Sequence, residues 1–305
     1  MANARIGPAM PAKRIVVRAP ATTANLGPGF DCLGMALDLW AEVVVSASEE
    51  ALPPAGPPLG GMVVEAAQRL FSHVGKRSPA GLTAEYIQEI PVARGLGASA
   101  VARAAGLLAA NALAGEPLER EEILALGAEL EGHADNMAPV LFGGLQVAVR
   151  EGDSVFHAGL AAPEGLKAVL FVPDMEMPTQ ESREVLPDFL SREDAVYNIG
   201  RAALMVAALA SGRLDLLDAA TRDRLHQPAR AKVFPAMEAI FRAARQTGAL
   251  GVFLSGGGSA VLALASEREE DIGRAMAQAA AGEGTSGHTI VTALSNAGAR
   301  IVEKG

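Results

Sequence analysis

The stretch RGLGASAVARAAG, from Arg94 to Gly106, is the most informative part of this chain of 305 residues. Its glycines give way to apolar residues at helical spacing, which predicts a loop that opens directly into a buried helix. Glycines let the backbone approach an anion closely, and the free N–H groups at a helix start attract it. The stretch therefore favours a phosphate site beside the hydroxyl of Ser99, although a simple turn with an N-cap explains the spacing equally well.

Two nucleotide-binding motifs compete for this loop. A Walker A loop is excluded, because no Gly-Lys-Ser/Thr follows the glycines. The dinucleotide fingerprint G-x-G-x-x-A is matched by Gly95, Gly97 and Ala100, which keeps an NAD(P)-dependent oxidoreductase as an alternative. That fingerprint requires an acidic residue ending the next strand about 20 residues on, whereas the region from Glu116 to Glu122 predicts a helix start. The oxidoreductase is therefore the weaker alternative.

Length and composition limit the classes of protein. At about 150 residues per domain, the length suggests two domains with a crevice between them. The chain is 50% hydrophobic and contains 33 glycines and 18 prolines, which is typical of a globular protein rich in tight turns. Its net charge of -9 argues against a surface that grips nucleic acid, because phosphate binding requires a basic face.

The cellular context is indicated by what the sequence lacks. Cys32 is the only cysteine, which excludes an intrachain disulfide or a Cys-rich zinc site and suits the reducing cytoplasm. No segment approaches the ~18 uninterrupted apolar residues of a membrane span, and the run from Ala202 to Ala210 fits a buried helix. We expect no membrane partner, and the Ala-rich, apolar elements are compatible with a homodimer.

The first half of the chain alternates strands with shaped loops. Two strands are predicted, Arg14 to Ala19 and Leu39 to Val45, with a loop from Thr22 to Gly34 between them. The Pro-rich segment from Ala51 to Gly61 predicts an exposed loop, followed by a helix from Met62 to Val74.

Around and after the phosphate loop, the pattern predicts a strand from Leu82 to Ile90 and a helix that begins at Pro117 and ends at Gly132. The alternating segment from Leu145 to Arg150 predicts a strand, and a domain boundary is expected near Glu151 to Glu164. The predicted units are a flexible tail over 1–13, a first domain over 14–160 and a second domain over 161–305.

The second half has the order strand, helices, two strands, helix, strand, which is typical of a split βαβ or ferredoxin-like domain. The predicted elements are Leu166 to Val172, Ser191 to Ser211, Leu214 to His226, Phe234 to Thr247, Gly251 to Leu254 and Ala260 to Leu264, then a last helix and strand. Ser191 and Asp194 resemble a capping box at the start of the first helix.

Four further polar segments are candidates for chemistry. EGHADN, from Glu131 to Asn136, suits a metal and a polar substrate, or equally a polar helix end. Arg183 and Arg230 suit the two-pronged recognition of a carboxylate, although each alone is typical of a solvated surface arginine. SGGGS, from Ser255 to Ser259, is consistent with a hairpin or with close approach to a ligand.

Together these segments resemble the GHMP small-molecule kinases and, within them, the homoserine kinases. The resemblance covers nearly the whole chain from Arg14 onward. The segments that carry it are APATTANLGPGFDCLGMALDLW (19–40), PVARGLGASA (91–100), EGHADNMAPVLFGG (131–144), VPDMEMPTQESREVLP (172–187), DRLHQPAR (223–230) and LSGGGSAVLAL (254–264). The first and fourth separate homoserine kinases from mevalonate, galactose and related sugar kinases.

The resemblance implies an α+β fold with an N-terminal ribosomal-protein-S5-like βαβ domain that binds ATP and a C-terminal ferredoxin-like domain. It implies ATP and Mg²⁺ as cofactors and L-homoserine as the substrate, phosphorylated to O-phospho-L-homoserine on the way to threonine. Ser99 and Glu131 are the implied metal ligands, with Glu129 as a rival. The implied triphosphate ligands are Pro91, Val92, Ala93, Arg94, Gly95, Leu96, Gly97, Ala98, Ser99 and Ala100.

The resemblance also implies an amino-acid site. The residues implied around the amine and the hydroxyl are Asn25, Asp31, Asp135 and Asn136, those on the carboxylate are Thr179, Arg183 and Arg230, and Gly256 lies in the floor. Asp135, Asn136 and Ser99 are the implied catalytic residues. Because phosphoryl transfer passes through a loose transition state, we expect Asp135 and Asn136 to orient the hydroxyl rather than fully deprotonate it.

Three positions depart from the usual family pattern. Ala98 replaces a common serine, SGGGSA stands where SGSGPT is more typical, and Ala229 replaces an aromatic residue before Arg230. Ser99 is retained, so these changes affect secondary contacts. Two alternatives remain: a kinase of another small alcohol, which should lack the paired arginines, and a silent ligand sensor, which the retained polar residues oppose.

Overall fold

The structure is a computed structural model that describes residues 13–50, 58–88 and 90–305. The predicted tail over 1–13 lies, apart from Lys13, outside the described residues. The same holds for residues 51–57 of the predicted exposed loop. Within the described ranges, every helix is too short or too polar to cross a membrane.

The first lobe is built on a six-stranded sheet. Its strands are β1 (Lys13–Ala24), β2 (Leu33–Ser48), β3 (Gly81–Gln88), β4 (Leu145–Glu151), β5 (Ser154–Leu160) and β10 (Arg300–Lys304). The order is β10-β1-β2-β4-β5, and β3 pairs with the far end of the long β2. All the strand pairs found among the described residues are antiparallel, so the parallel sheet that a dinucleotide fold requires is not formed there.

Four helices complete the first lobe: α1 (Pro58–His73), α2 (Ala98–Leu113), α3 (Arg120–Glu131) and α4 (Met137–Phe142). As predicted, α2 is buried along most of its length. It lies so close to α1 that a Cβ on Gly106 would be 2.1 Å from the carbonyl oxygen of Val63. This packing fixes the middle of α2 against α1.

The second lobe has a four-stranded sheet of β6 (Lys167–Pro173), β7 (Gly251–Leu254), β8 (Val261–Ala265) and β9 (Gly287–Ala293), in the order β7-β8-β6-β9. Its helices are α5 (Thr179–Glu184), α6 (Arg192–Ser211), α7 (Leu217–Ala220), α8 (Gln227–Arg230), α9 (Met237–Thr247) and α10 (Glu269–Gly282). This arrangement confirms the predicted ferredoxin-like domain and the α+β class.

The second sheet lies between two hydrophobic cores. Along β6, Leu170 belongs to the core shared with the first lobe, while Val169 and Phe171 point into a separate core under α9 and α10. Because side chains of a strand alternate between the two faces of a sheet, one face of the second sheet packs on its own helices and the other face packs in the core shared with the first lobe. That shared core joins the two lobes beside the cleft described below.

The loop predicted from Thr22 to Gly34 is shorter than expected. Thr22 pairs with Ala36 and Ala24 with Gly34, so β1 and β2 close down to an eight-residue loop over 25–32. Gly34 lies within β2, paired with Ala24, and a Cβ at this position would be 1.7 Å from the carbonyl oxygen of Asp135. The glycine reports a close contact rather than a turn.

The prediction of a single helix from Leu214 to His226 is wrong. A 3₁₀ turn over Leu214–Leu216 leads into α7, which ends at Ala220. The buried carboxylate of Asp223 then accepts backbone N–H groups from Leu225, His226 and Gln227, at 2.9, 2.9 and 2.7 Å. These bonds favour a turn and a new helix, α8, over a continuous one.

Several other helix boundaries differ from the predicted ones by a few residues, while two agree with the prediction. The third helix begins at Arg120 rather than Pro117, since the N–H of Glu119 donates to the Glu122 carboxylate at 2.8 Å. Helix α1 begins at Pro58 rather than Met62, and α9 begins at Met237 rather than Phe234. Ser191 does cap α6, accepting the N–H of Asp194 at 3.0 Å, and Gly132 ends α3 as predicted.

The short helices α4, α5 and α8 and the strands β5 and β10 were not predicted. Strand β10 pairs with β1, so the end of the segment 161–305 returns to the first sheet instead of staying in the second domain. The other predicted domain limits stay a prediction.

Candidate active site

A cleft of about 620 Å³ lies between the lobes. Its lining includes the predicted site residues Asn25, Asp31, Pro91, Val92, Ala93, Gly95, Leu96, Gly97, Ala98, Ser99, Glu131, Asp135, Asn136, Arg183, Arg230 and Gly256. The tertiary fold therefore brings residues from six separate segments of the sequence to one place.

The glycine loop at the head of α2 is held by close backbone contacts. Gly95 and Gly97 both have a φ of 73°, which glycine adopts at little cost. A Cβ on Gly95 would be 2.0 Å from the carbonyl oxygen of Ser255, and one on Gly97 would be 2.0 Å from Oγ1 of Thr22. The loop thus presents the start of α2, where amide N–H groups precede the first helical bond, to the cleft.

Two predicted phosphate-loop residues turn away from the cleft. Nε of Arg94 donates to the carbonyl of Pro173 at 2.8 Å, and Nη2 donates to that of Asp174 at 2.8 Å, so this side chain braces the loop against the second lobe. Ala100 is fully buried inside α2. Their side chains support the loop and do not line the cleft.

A polar cluster on α2 and α3 lies beside the loop. Oγ of Ser99 donates to Oε2 of Glu131 at 3.1 Å, and Arg103 pairs with the other oxygen of that carboxylate. Glu129 instead pairs with Arg69 at 2.8 Å, outside the cleft. Of the two glutamates, Glu131 is the one that faces the cleft with Ser99.

Arg103 was missed by the sequence analysis. It lies four residues after Ser99, a spacing that places both side chains on the same face of a helix. Its guanidinium is largely buried and lines the cleft. The four-residue spacing in SAVAR is the signal that could have identified Arg103, but an arginine in an apolar run is equally consistent with a solvated side chain.

Asp135 and Asn136 are held in fixed orientations. Oδ1 of Asp135 accepts the backbone N–H of Asn136 at 2.9 Å and its side-chain amide at 3.2 Å. Nδ1 of His133 lies 2.5 Å from the same oxygen. Oγ1 of Thr22, another residue that the sequence analysis missed, donates to Oδ1 of Asn136 at 2.8 Å.

His133 completes a negatively charged corner of the cleft. Burial lowers the pKa of His133. The hydrogen bond to Asp135 and the negative charges of Asp135, Glu131 and Asp31 raise the pKa by more than burial lowers it, so the net shift is upward. Burial, followed by the charges of Asp135 and Asp31, raises the pKa of Cys32 to about 11. Ligand atoms of Asp31, His133 and Asp135 all lie within 4.8 Å of one another, so this corner favours a cation.

The loop over 25–32 connects the two lobes. Asn25 has a φ of 69°, a left-handed conformation that asparagine tolerates better than most residues. Its Nδ2 donates to the carbonyl of Gly256 at 2.9 Å, and its Oδ1 accepts the N–H of Asp31 at 3.0 Å. Asn25 therefore shapes the floor of the cleft and fixes the position of Asp31.

The two predicted carboxylate clamps lie together over Phe30. Arg183 is 5.3 Å and Arg230 is 5.6 Å from the centre of its ring. Burial, and next the charge of Arg183, lower the pKa of Arg230 to about 10. Thr179 is the first residue of α5, but its side chain lies outside the described residues.

The chain matches two family descriptions. "GHMP kinases N terminal domain" matches residues 61–144, and "GHMP kinases C terminal" matches residues 205–282. The first match contains the glycine loop and the cluster around Asp135, while the second contains the segment with Arg230.

Relatives and solved structures agree with these matches. Homoserine kinase from Moorella thermoacetica is 42% identical over 297 residues, covering 94% of this chain and 99% of that protein. Homoserine kinase from Clostridium beijerinckii is 36% identical over 294 residues, covering 95% and 99%. The crystal structure of homoserine kinase from Cytophaga hutchinsonii has a TM-score of 0.85 at 28% identity, covering 99% and 100%.

The galactokinase of Lactococcus lactis, with a TM-score of 0.71 at 15% identity over 94% of this chain and 95% of that one, shows a shared fold alone. The sequence identity to the enzymes from Moorella and Clostridium extends over almost the entire chain. The chain belongs to the homoserine kinase family of the GHMP kinases.

Proposed function

We propose that this protein transfers the γ-phosphate of ATP to the side-chain hydroxyl of L-homoserine, giving O-phospho-L-homoserine and ADP, a step towards threonine. The observation that carries the proposal is the composition of the cleft. A glycine loop at a helix start lines one part of it, and two arginines facing two aspartates line another. An anionic nucleotide and a zwitterionic amino acid require such a combination.

The triphosphate is proposed to lie against residues 91–100, at the start of α2. Oγ of Ser99 and Oε2 of Glu131 lie 3.1 Å apart, and both could be ligands of Mg²⁺, because this ion prefers oxygen ligands. The chemistry that Mg²⁺ supplies when bound is neutralisation of charge on the phosphate oxygens. Arg103 adds a fixed positive charge beside the same carboxylate.

The amino acid is proposed to lie across the cleft. Asp31 binds its ammonium group, while Arg183, Arg230 and Thr179 bind its carboxylate. Asn25 and Gly256 form the floor of the site, against which the side chain of the amino acid lies. This floor is fixed, because the Gly256 carbonyl accepts hydrogen bonds from Asn25 at 2.9 Å and from Arg230 at 3.2 Å. Binding both ends fixes the hydroxyl opposite the phosphate, which is a positioning effect.

Asp135 and Asn136 are proposed to orient the hydroxyl. Oδ1 of Asp135 is in contact with Nδ1 of His133 and receives two hydrogen bonds from Asn136, so the carboxylate is held in one orientation at the edge of the cleft. A loose transition state needs little proton removal before the phosphorus–oxygen bond is largely broken. Alignment of the oxygens therefore accounts for the role of this pair.

A kinase of another small alcohol is the second candidate. Two arginines beside one aromatic ring favour a substrate with a carboxylate, which galactose lacks. Mevalonate and shikimate are carboxylates without an ammonium group, and Asp31 favours a substrate that has one.

The test is to incubate the protein with Mg-ATP and each of L-homoserine, mevalonate, galactose and shikimate, and to measure ADP release. ADP formation with homoserine alone is the expected result. ADP formation with another member of the panel, or with none, contradicts the proposal. A homodimer and a cytoplasmic location stay predictions, and light scattering measures the first.

A further inference from the structure

His226 is a buried side chain that the proposed reaction does not use. It has no exposed surface, and it lies between the loop over 25–32 of the first lobe and Arg230 of the second. Its Nε2 is 2.7 Å from the carbonyl oxygen of Gly27, and its Nδ1 is 2.8 Å from Nη1 of Arg230. The ring therefore bridges two segments that both contribute to the amino-acid end of the cleft.

These two contacts determine which nitrogen carries the proton. A carbonyl oxygen can only accept, so Nε2 must donate to Gly27. A guanidinium can only donate, so Nδ1 must be the unprotonated acceptor. The neutral ring is also favoured by its surroundings, because burial, against the opposing charge of Asp223, lowers the pKa of His226 to about 4.

Among the described residues, the guanidinium of Arg230 has three hydrogen-bond acceptors, and His226 is the only side chain of the three. The other two are the carbonyls of Ser182 and Gly256, each 3.2 Å from a guanidinium nitrogen. Asp223 in turn fixes the backbone of His226 through its N–H at 2.9 Å, and it is itself held by Nδ2 of Asn198 at 2.6 Å. The orientation of the buried guanidinium therefore depends on a side chain that is itself rigidly held.

We propose that His226 is a positioning residue that aims Arg230 at the carboxylate of the amino-acid acceptor and thereby sets the preference for a carboxylate-bearing substrate. This inference rests on the proposed function of the cleft. His226 touches no reacting atom, and its effect is transmitted through the hydrogen bond from Nη1 to Nδ1. A fixed guanidinium loses less conformational freedom when it binds a carboxylate than a mobile one does.

Two substitutions separate the two bonds of the ring. In His226→Asn the side-chain oxygen lies near the position of Nδ1, so the acceptor for Arg230 is kept and the bond to Gly27 is lost. In His226→Gln the amide nitrogen lies near the position of Nε2, so the bond to Gly27 is kept and the acceptor for Arg230 is lost. The pair controls for burial and for loss of the ring.

The first measurement is kcat and KM for L-homoserine and for its uncharged analogue L-homoserinamide, with melting temperatures as a check on folding. We expect His226→Gln to raise the KM for homoserine about 10- to 100-fold, the usual effect of losing a hydrogen bond to a charged group. Its kcat should change little, its kcat/KM for homoserinamide should stay near that of the wild type, and His226→Asn should recover most of the loss. Equal losses for both substrates, or in both variants, would overturn the proposal.

The second measurement does not depend on activity. Nitrogen-15 NMR of the histidine rings, assigned by the signal that disappears in His226→Asn, should show the neutral form protonated on Nε2. The opposite tautomer or a charged ring at neutral pH would overturn the proposal even in an active enzyme. Wild-type protein that turns over none of the substrate panel refutes the proposed function instead, and the NMR result still decides the geometry.

Discussion

Arg183 and Asp31 form a two-pronged ion pair inside the cleft, with Nη2 at 2.6 Å from Oδ1 and Nη1 at 3.0 Å from Oδ2. One residue comes from α5 in the second lobe, and the other from the loop over 25–32 in the first. An amino acid carries both an ammonium and a carboxylate group. Its ammonium can pair with Asp31 and its carboxylate with Arg183, so that two ion pairs replace one. The pair joins the two lobes, and under the proposed function it marks the place where the zwitterion binds.

The ion pair makes Asp31→Asn a test of amine recognition. We expect the KM for L-homoserine to rise about 10- to 100-fold, because the partner of the ammonium is lost and Arg183 has no carboxylate to align it. The KM for ATP should stay within about twofold. Asp153→Asn, in the exposed turn between β4 and β5, is the control, and an unchanged KM in Asp31→Asn contradicts the assignment.

Glu131 and Glu129 allow a matched test of the metal site. Glu131→Gln should lower kcat by at least about 100-fold and raise the Mg²⁺ concentration needed for half-maximal activity, because a charged oxygen ligand is replaced by a neutral one. Glu129→Gln should leave both quantities nearly unchanged, since Glu129 pairs with Arg69 outside the cleft. A titration of activity with Mg²⁺ measures both, and equal effects in the two variants would exclude the proposed site.

Asp135→Asn distinguishes orientation from base catalysis. If Asp135 mainly orients the hydroxyl, the amide keeps much of that role and kcat should fall by less than about 100-fold. Saturating steady-state kinetics from pH 6 to pH 9 measure the effect, with the unfolding midpoint as a check that the variant is intact. A fall of several thousand-fold would show that the proton is taken by the carboxylate.

Gly95→Ala tests the close contact beneath the phosphate loop. Its Cβ would clash with the carbonyl oxygen of Ser255 at 2.0 Å, in addition to the strain of a φ of 73°. We expect the loss of measurable ATP binding by calorimetry and a lower melting temperature. Gly75→Ala is the control, because Gly75 has a φ of 66° with open space around it and should cost only about 1–2 kcal/mol of stability. Normal ATP affinity in Gly95→Ala would contradict this account of the loop.

His226 makes stability depend on pH. Its pKa is lowered from 6.5 to about 4 in the fold, so the unfolded chain takes up the proton first as the pH falls. The contribution, up to about 3 kcal/mol, is present above pH 6.5 and should be lost as the pH falls towards about 4. Asp223, Arg230 and Asp31 are the charged groups that act on the ring.

Urea unfolding at pH 7.5, 6.0 and 4.5 measures this contribution. The difference in stability between the wild type and His226→Asn should shrink as the pH falls, since the variant cannot take up a proton at this position. Other titrating groups, His133 among them, act on both proteins and cancel in the difference. A difference that is constant over this range would show that His226 titrates alike in the folded and unfolded chains.

Most elements that depend on short-range pattern were predictable from the sequence. The buried helix α2 follows from its run of alanines after two glycines, the cap at Ser191 from its side chain, and the ferredoxin-like order from the sequence of strands and helices. Strands β5 and β10 escaped prediction because they are short and half-exposed, and their partners are set by the sheet rather than by their own residues.

The sequence by itself indicated the class of chemistry through the combined resemblance of its segments to the GHMP kinases, because such segments are recognised locally. Taken one at a time, the glycine loop and the arginines also fitted a simple turn and solvated side chains. The tertiary structure alone decided the roles within the site: that Glu131 and not Glu129 faces Ser99, that Arg183 pairs with Asp31, and that His226 holds Arg230. Each of those relationships joins side chains from different elements. Such contacts are set by the packing of sheets and helices into one core, and no spacing within the chain encodes them directly.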